Sequence, residues 1–266
     1  MNQKHAIITG GSSGIGKETA KLLAQAGYSI SIIARNLDKL EAAKTEIQRA
    51  TSQEQQVITI AADVSQQPQA AQAIEQAIAQ LGSPTLLITS AGVAHPGYFR
   101  ELPLEIFERT MAVNYFGSLY CIKAALPAMQ PESQIVLISS GAGLIGLYGY
   151  TPYSPTKFAL RGLAESLRGE LKPLGIQVAI VYPPDTDTPQ LAAENRTKPV
   201  ETKKITATAA TWSAENVAQE ILKGVYKRSF MITPGLEMTA LGRLHSLLAP
   251  GLNWYFDRLV TKVRRS

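Results

Sequence analysis

The chain has 266 residues, of which 45% are hydrophobic and 18% charged, a balance that excludes disorder and low complexity and allows a sizeable core. A single cysteine, Cys121, rules out an internal disulfide and reads as a small core residue; three scattered histidines offer no metal-ligand spacing, so no metal is expected. The net charge of +5 comes without a basic run interleaved with aromatics in the body of the chain, which argues against nucleic acid as a partner.

The first residues enter an apolar strand, His5–Thr9, leaving no room for a signal peptide. No stretch approaches ~20 uncharged apolar residues, so no membrane span is expected. The expectation is a cytoplasmic protein, peripheral at a membrane surface at most. A first helix is expected over 14–26, closed by Gly27, then an isoleucine-rich strand at Ser29–Ala34 and a charged helix over Leu37–Arg49. Further strands are expected at Val57–Ala61, Leu86–Thr89, 135–139 and 178–182, with helices over 69–81, 103–126 and 152–174 between them. Residues 185–211 lack strand periodicity and are long for a connection, which marks an active-site lid. A helix over 214–227 and a short strand at 230–233 complete the pattern. Repeated βα units with right-handed crossovers predict an α/β fold. It is a Rossmann-type, doubly wound parallel sheet of about seven strands, forming one domain over residues 1–235.

Thr9-Gly-Gly-Ser-Ser-Gly-Ile-Gly16 falls between the first strand and first helix. There the backbone of Gly10, Ser12, Ser13, Gly14, Ile15 and Gly16 meets a pyrophosphate at a helix N-terminus. Glycine turns also end strands for steric reasons alone, but the strand before and the helix after favour a dinucleotide. The three residues between Gly10 and Gly14 depart from the commoner G-x-G-x-x-G. An acidic residue at the end of the second strand would read an NAD ribose; this chain has Arg35, with Lys39 a turn further on. A guanidinium pairs with a 2′-phosphate, so the expected cofactor is NADP(H). The plainer alternative is a surface arginine at a strand end. Asp63, followed by Val64 after the third strand, is placed to accept a hydrogen bond from the adenine amine.

Tyr153 and Lys157, four residues apart, share one face of a helix, and Ser140 lies thirteen residues upstream. An ammonium beside a phenol favours the phenolate and makes it an acid or base for working pH. Alone, the pair would also suit a core tyrosine with a solvated lysine. The loop at 9–16, Asp63-Val64, Ala91-Gly92, Asn114, Ser140, Tyr153 and Lys157 together are decisive. In this order the chain resembles the short-chain dehydrogenase/reductase family over nearly its full length.

That resemblance implies that Tyr153 is the general acid or base at a carbonyl oxygen and that Ser140 hydrogen-bonds the same oxygen. It implies that Lys157 lowers the pKa of Tyr153 and holds the nicotinamide ribose, and that Asn114 supports a water that replaces the proton. Gly92, Thr186 and Thr188 are implied as further cofactor contacts, and a homodimer or homotetramer as the assembly. Ser139 is the alternative to Ser140. The chain departs from the family at Thr89-Ser90, where two asparagines are usual, and at Pro184, where glycine is common. Tyr182-Pro-Pro-Asp-Thr-Asp-Thr-Pro189 and Glu194-Asn-Arg-Thr-Lys-Pro199 resemble a narrower subgroup, the 3-ketodihydrosphingosine reductases. Its members use NADPH to reduce the C3 ketone of a long-chain 2-amino-3-ketone, so a lipophilic ketone is the expected substrate. Competing readings are a β-ketoacyl thioester or hydroxysteroid-type ketone, or a non-catalytic NADP-binding regulator.

Two segments stay open at this level. Asp185 or Asp187 either meets the substrate's ammonium, or the polar run before Pro189 simply caps a helix. In the extension 236–266, Leu241, Leu244, Leu248, Leu252, Tyr255, Leu259 and Val263 recur at helical spacing beside Trp254, Phe256 and the basic residues Arg258, Lys262, Arg264 and Arg265. This stripe either lies in a bilayer interface or packs on the core or a neighbouring subunit.

Overall fold

Ser29–Ala34 sets isoleucine on both faces of one strand, and such a strand needs cover on both sides. The computed structural model describes residues 4–51, 55–207 and 210–265 and shows how that cover is supplied. Residues 1–3, 52–54 and 266 of the expected domain and extension, and 208–209 of the expected lid, lie outside the described residues. In chain order the first half runs β1 (His5–Thr9), α1 (Gly14–Gln25), β2 (Ser29–Ala34), α2 (Leu37–Arg49), β3 (Val57–Ala61), α3 (Gln67–Leu81) and β4 (Leu86–Thr89). Then come α4 (Leu104–Met111), α5 (Gly117–Ala125), β5 (Gln134–Ile138), α6 (Ser154–Leu171) and β6 (Gln177–Val181). The last part holds β7 (Thr186–Asp187), α7 (Pro189–Thr197), α8 (Val200–Thr206), β8 (Trp212–Ser213), α9 (Ala214–Tyr226), β9 (Met231–Ile232) and α10 (Gly235–Arg265).

The main sheet has seven parallel strands in the order β3-β2-β1-β4-β5-β6-β9, so the expected doubly wound architecture is present. Alternation along each strand divides the core in two. Ile7, Ile33, Leu87, Leu137 and Ile180 face one way, with residues of α3, α5 and α6. Ile8, Ile32, Ile88, Val136 and Val181 face the other, with residues of α1, α2 and α9. Each fully buried isoleucine contributes roughly 1.5–3 kcal/mol relative to exposure. Cys121 is a wholly buried member of the first group, its thiol pushed up to about 12 by burial, as suits a packing residue. The strand order reverses between β1 and β4, and in open sheets of this kind the crevice beyond the strand ends at that point holds the ligand. Thr9 ties the two ends together, its Oγ1 accepting from the N–H groups of Ser90 and Ala91 at 3.2 Å each.

Two expectations need correction. The helix over 103–126 is not continuous: between α4 and α5 the chain forms a turn of π-helix, Ala112–Phe116, with Asn114 in it. The widened turn accommodates two close contacts, Asn114 with Val93 and Thr156, and Gly117 with Val64, where a Cβ would lie 2.9 Å from Val64 Cγ2. The lid, in turn, has secondary structure of its own. It contains α7 and α8, bracketed by a two-stranded parallel ladder of β7 with β8.

The carboxy-terminal apolar stripe does not act as one face. In α10, Leu241, Leu252 and Phe256 pack against the core, while Leu247 is 78% and Trp254 60% exposed, with Leu244, Leu248 and Tyr255 also on the outside. Arg258 lies over the Trp254 ring, 5.0 Å from its centroid. Arg264 turns back to the lid. Its Nε donates to Glu201 of α8 at 3.2 Å and its Nη2 to the Tyr148 hydroxyl at 2.8 Å. No helix among the described residues is long and apolar enough to cross a membrane.

Candidate active site

A cavity of about 480 Å³ opens at the carboxyl ends of the strands and is lined by every residue expected to touch the cofactor. These run from Gly10, Ser12, Ser13, Gly14, Ile15 and Gly16 through Arg35, Lys39, Asp63, Val64 and Gly92 to Tyr153, Lys157, Thr186 and Thr188. The glycine loop is packed backbone against backbone. A Cβ on Gly10, which sits at φ +69°, would come 2.8 Å from Ala91, and one on Gly16 would come 2.5 Å from the Gly10 carbonyl. Ser13 begins α1 without a side-chain cap, and the first turn holds no acidic residue. Helix-end N–H groups without a capping side chain, beside a loop with no room for a Cβ, suit a pyrophosphate.

Arg35 and Lys39 are exposed at the rim, and Arg35 makes no ion pair among the described residues. Asn36 caps α2 by accepting from the Lys39 N–H at 2.8 Å, which fixes where both cations start. Asp63 uses Oδ1 to accept from the N–H and hydroxyl of Ser65, at 3.0 and 2.8 Å. Thr188 closes the cavity from the lid side: a Cβ on Gly14 would meet its methyl at 3.0 Å.

At the other end, Tyr153 stands at the start of α6 with Lys157 one turn below, the ammonium 5.3 Å from the phenol ring centroid. Both are almost wholly buried. Lys157 Nζ donates to the Ile138 carbonyl at the end of β5 at 2.9 Å. The side chains of Ser140 and of Gln190 in α7 are the polar neighbours of the Tyr153 phenol in this cavity and favour its ionised form. Ser139 points elsewhere, its hydroxyl donating to the Lys157 carbonyl at 3.0 Å, so Ser140 is the serine beside the phenol. Asn114 is buried behind the cavity. Its Oδ1 accepts from Val93 N–H at 2.8 Å and its Nδ2 donates to Val93 O and Thr156 Oγ1 at 3.0 Å each, tying the segment after β4 to α6.

The electrostatics differ from the simple picture of a lysine lowering a phenol. Burial is the largest influence on Tyr153 and raises its pKa above the ordinary tyrosine value; the charge of Glu194 adds to this, against the effect of Ser140 and Gln190. Burial likewise pushes Lys157 down to about 8, with Glu194 opposing. A buried phenol kept protonated is suited to give a proton rather than take one.

The lid contributes residues that sequence reasoning passed over. Glu194 of α7 is 7% exposed and lines the cavity. Its carboxylate accepts from the Tyr150 hydroxyl at 2.6 Å and from Gln190 Nε2 at 2.9 Å. Tyr150 in turn packs against Tyr153, ring centroids 5.7 Å apart. Asp185 lies 3.6 Å from the buried ammonium of Lys198, and Asp187 is exposed in β7. The cap of α7 is Thr188, whose Oγ1 accepts from Leu191 N–H at 3.2 Å. The usable signal was the spacing: once Thr188-Pro189 starts a helix, Gln190 and Glu194 fall on one face, one turn apart.

The model of a family described as short chain dehydrogenase matches residues 4–199. A 3-ketodihydrosphingosine reductase from Bos taurus is 43% identical over 250 residues, 92% of this chain and 75% of that protein. One from Dictyostelium discoideum is 40% identical over 286 aligned positions, spanning the whole chain and 84% of that protein. Among solved structures, a short chain dehydrogenase from Burkholderia cenocepacia in complex with NADP is 27% identical. It superposes with a TM-score of 0.77, covering 87% of this chain and 95% of that one.

Proposed function

The chain belongs to the short-chain dehydrogenase family, and we propose that it reduces the C3 ketone of 3-ketodihydrosphingosine to dihydrosphingosine with NADPH. It is an oxidoreductase by that membership. The observation that carries the reaction is the buried Tyr153 phenol, with the Lys157 ammonium 5.3 Å from its ring centroid, in the cavity that the glycine loop lines. The substrate reading is supported by the relatives named above and by the stretch from Tyr182 to Pro189. NADPH is supported by Arg35, which makes no ion pair among the described residues, and by the solved NADP complex of a similar protein.

NADPH, when bound, supplies the hydride. The amides of residues 10–16 would hold its pyrophosphate, Arg35 and Lys39 its 2′-phosphate, and Asp63 with Val64 its adenine. Lys157 and Tyr153 would hold the nicotinamide ribose, with Gly92, Thr186 and Thr188 beside it. Tyr153 gives its proton to the ketone oxygen, Ser140 donates a hydrogen bond to that oxygen, and the Lys157 ammonium steadies the tyrosinate left behind. Acid catalysis of this kind contributes about 10²–10⁴-fold in rate. Asn114 keeps the segment after β4 against α6 and supports the water route by which Tyr153 regains its proton.

Incubation of the protein with NADPH and 3-ketodihydrosphingosine should give a product two hydrogens heavier by mass, with matching NADPH consumption. Turnover of a β-ketoacyl thioester or hydroxysteroid-type ketone in its place would overturn the substrate. NADPH binding with no turnover of any ketone would favour the regulator.

A substrate with a long alkyl chain resides in membranes, and the outward face of α10 fits a bilayer surface. Leu247 and Trp254, seven residues apart on that face, are exposed beside Arg258. The protein is expected to sediment with anionic vesicles, and Leu247→Glu with Trp254→Glu to abolish this while leaving the fold intact. Unchanged vesicle binding would refute the membrane contact. A shift from homodimer or homotetramer to monomer in the same variant would assign the face to a second copy of the chain instead.

A further inference from the structure

Glu194 is a buried carboxylate whose hydrogen-bond partners are neutral, its charge being felt at the Lys157 ammonium without an ion pair among the described residues. Its two recorded hydrogen bonds come from a phenol and an amide, and among the described residues no cationic side chain pairs with it. The two nearby ammonium groups are engaged elsewhere: Lys157 donates to the Ile138 carbonyl, and Lys198 sits with Asp185. An ionised carboxylate out of water is costly to a fold unless a counter-charge joins it. A carboxylate also accepts about four hydrogen bonds, and only two are recorded here.

Its position relative to the reacting atoms is given by Tyr150 and by the cavity they share. Tyr150 donates to Glu194 Oε2 at 2.6 Å, and its ring lies against that of Tyr153, centroids 5.7 Å apart. Glu194, Gln190, Tyr150 and Tyr153 all line the same cavity, so the carboxylate stands one side chain away from the phenol that protonates the ketone. In a 2-amino-3-ketone the nitrogen lies only about 3 Å from the carbonyl oxygen, by ordinary bond lengths and angles. A ketone bound to Tyr153 thus brings its ammonium within reach of Glu194. Asp185 is already matched by Lys198, and Asp187 is exposed, so neither meets the same conditions.

We infer that Glu194 receives the ammonium of the substrate and thereby sets a preference for 2-amino ketones over ketones lacking the amine. The assignment rests on the amino-ketone reading above and deepens it. The complete chain is assayed with saturating NADPH on 3-ketodihydrosphingosine and on the analogue that lacks only the amine. Wild type should prefer the amine. Glu194→Gln, which keeps the shape and one acceptor oxygen but removes the charge, should cut kcat/KM on the amine about 100-fold more than on the analogue, largely through KM. Glu194→Asp keeps the charge, is milder on the fold, and should retain the preference.

Wild type that reduces both ketones equally overturns the substrate reading together with the assignment. A wild-type preference for the amine, with equal losses on both ketones in Glu194→Gln, overturns the assignment alone and makes Glu194 a positioning residue for Gln190 and Tyr153. Loss of the preference in Asp185→Asn, or in Glu194→Asp, overturns it as well.

Discussion

Tyr153→Phe is expected to lower kcat for ketone reduction by about 10²–10⁴-fold while cofactor affinity changes far less. The ring is held by packing rather than by its hydroxyl: it is buried, lies against Tyr150 and sits over the Lys157 ammonium. Phenylalanine fills the same space and removes only the oxygen that Ser140 and Gln190 address. The pH profile adds a second check. Because burial holds Tyr153 above its ordinary value, the acid form persists through neutral pH. Lys157 is pushed down to about 8, so its positive charge is present below that pH and lost above it. Reduction should therefore be flat near neutrality and decline as pH rises through about 8, the charge that steadies the tyrosinate having gone. A Tyr153→Phe enzyme within tenfold of wild type would remove Tyr153 from the reaction.

Arg35→Asp is expected to change the ratio of kcat/KM with NADPH to that with NADH by about 10²–10³-fold in favour of NADH. Two effects act in the same direction, each worth about tenfold or more. A charge-assisted pairing with the 2′-phosphate is lost, and a carboxylate is gained that repels this phosphate and accepts from a free ribose 2′-hydroxyl. Arg35 makes no ion pair among the described residues, so the substitution breaks no recorded internal salt bridge and protein stability should hold. Thermal denaturation of the variant separates a change of preference from a loss of fold. An unaltered ratio would show that Arg35 is only a surface residue at a strand end.

Where local pattern governs, the sequence was readable to the residue. β1, β2, α2, β3 and β4 begin and end where their apolar runs and caps say they should. The glycine loop and Arg35 were equally legible, because a strand, a turn without room for Cβ and a helix follow one another directly. Reading failed where partners distant in the chain decide. The π turn accommodates Asn114 bonding to Val93 and Thr156, 21 and 42 residues away, and no helical periodicity reports that. Glu194 sits in a polar stretch that looks solvated, and only its meeting with Tyr150, 44 residues upstream, turns it inward. The apolar stripe of α10 was visible, but which of its residues face the core depends on the Leu244 kink in that helix, where φ is −114° and ψ 19°.

The return of Arg264 to Glu201 and Tyr148 also bears on the order in which the molecule is assembled. It joins residues 63 and 116 positions apart, so the lid is fastened by a part of the chain made well after it. The glycine loop, Arg35 and Asp63 precede both. Proteins are made from the amino terminus, and structure forms as chain becomes available. A growing polypeptide thus has its glycine loop, Arg35 and Asp63 long before the residue that clasps its lid.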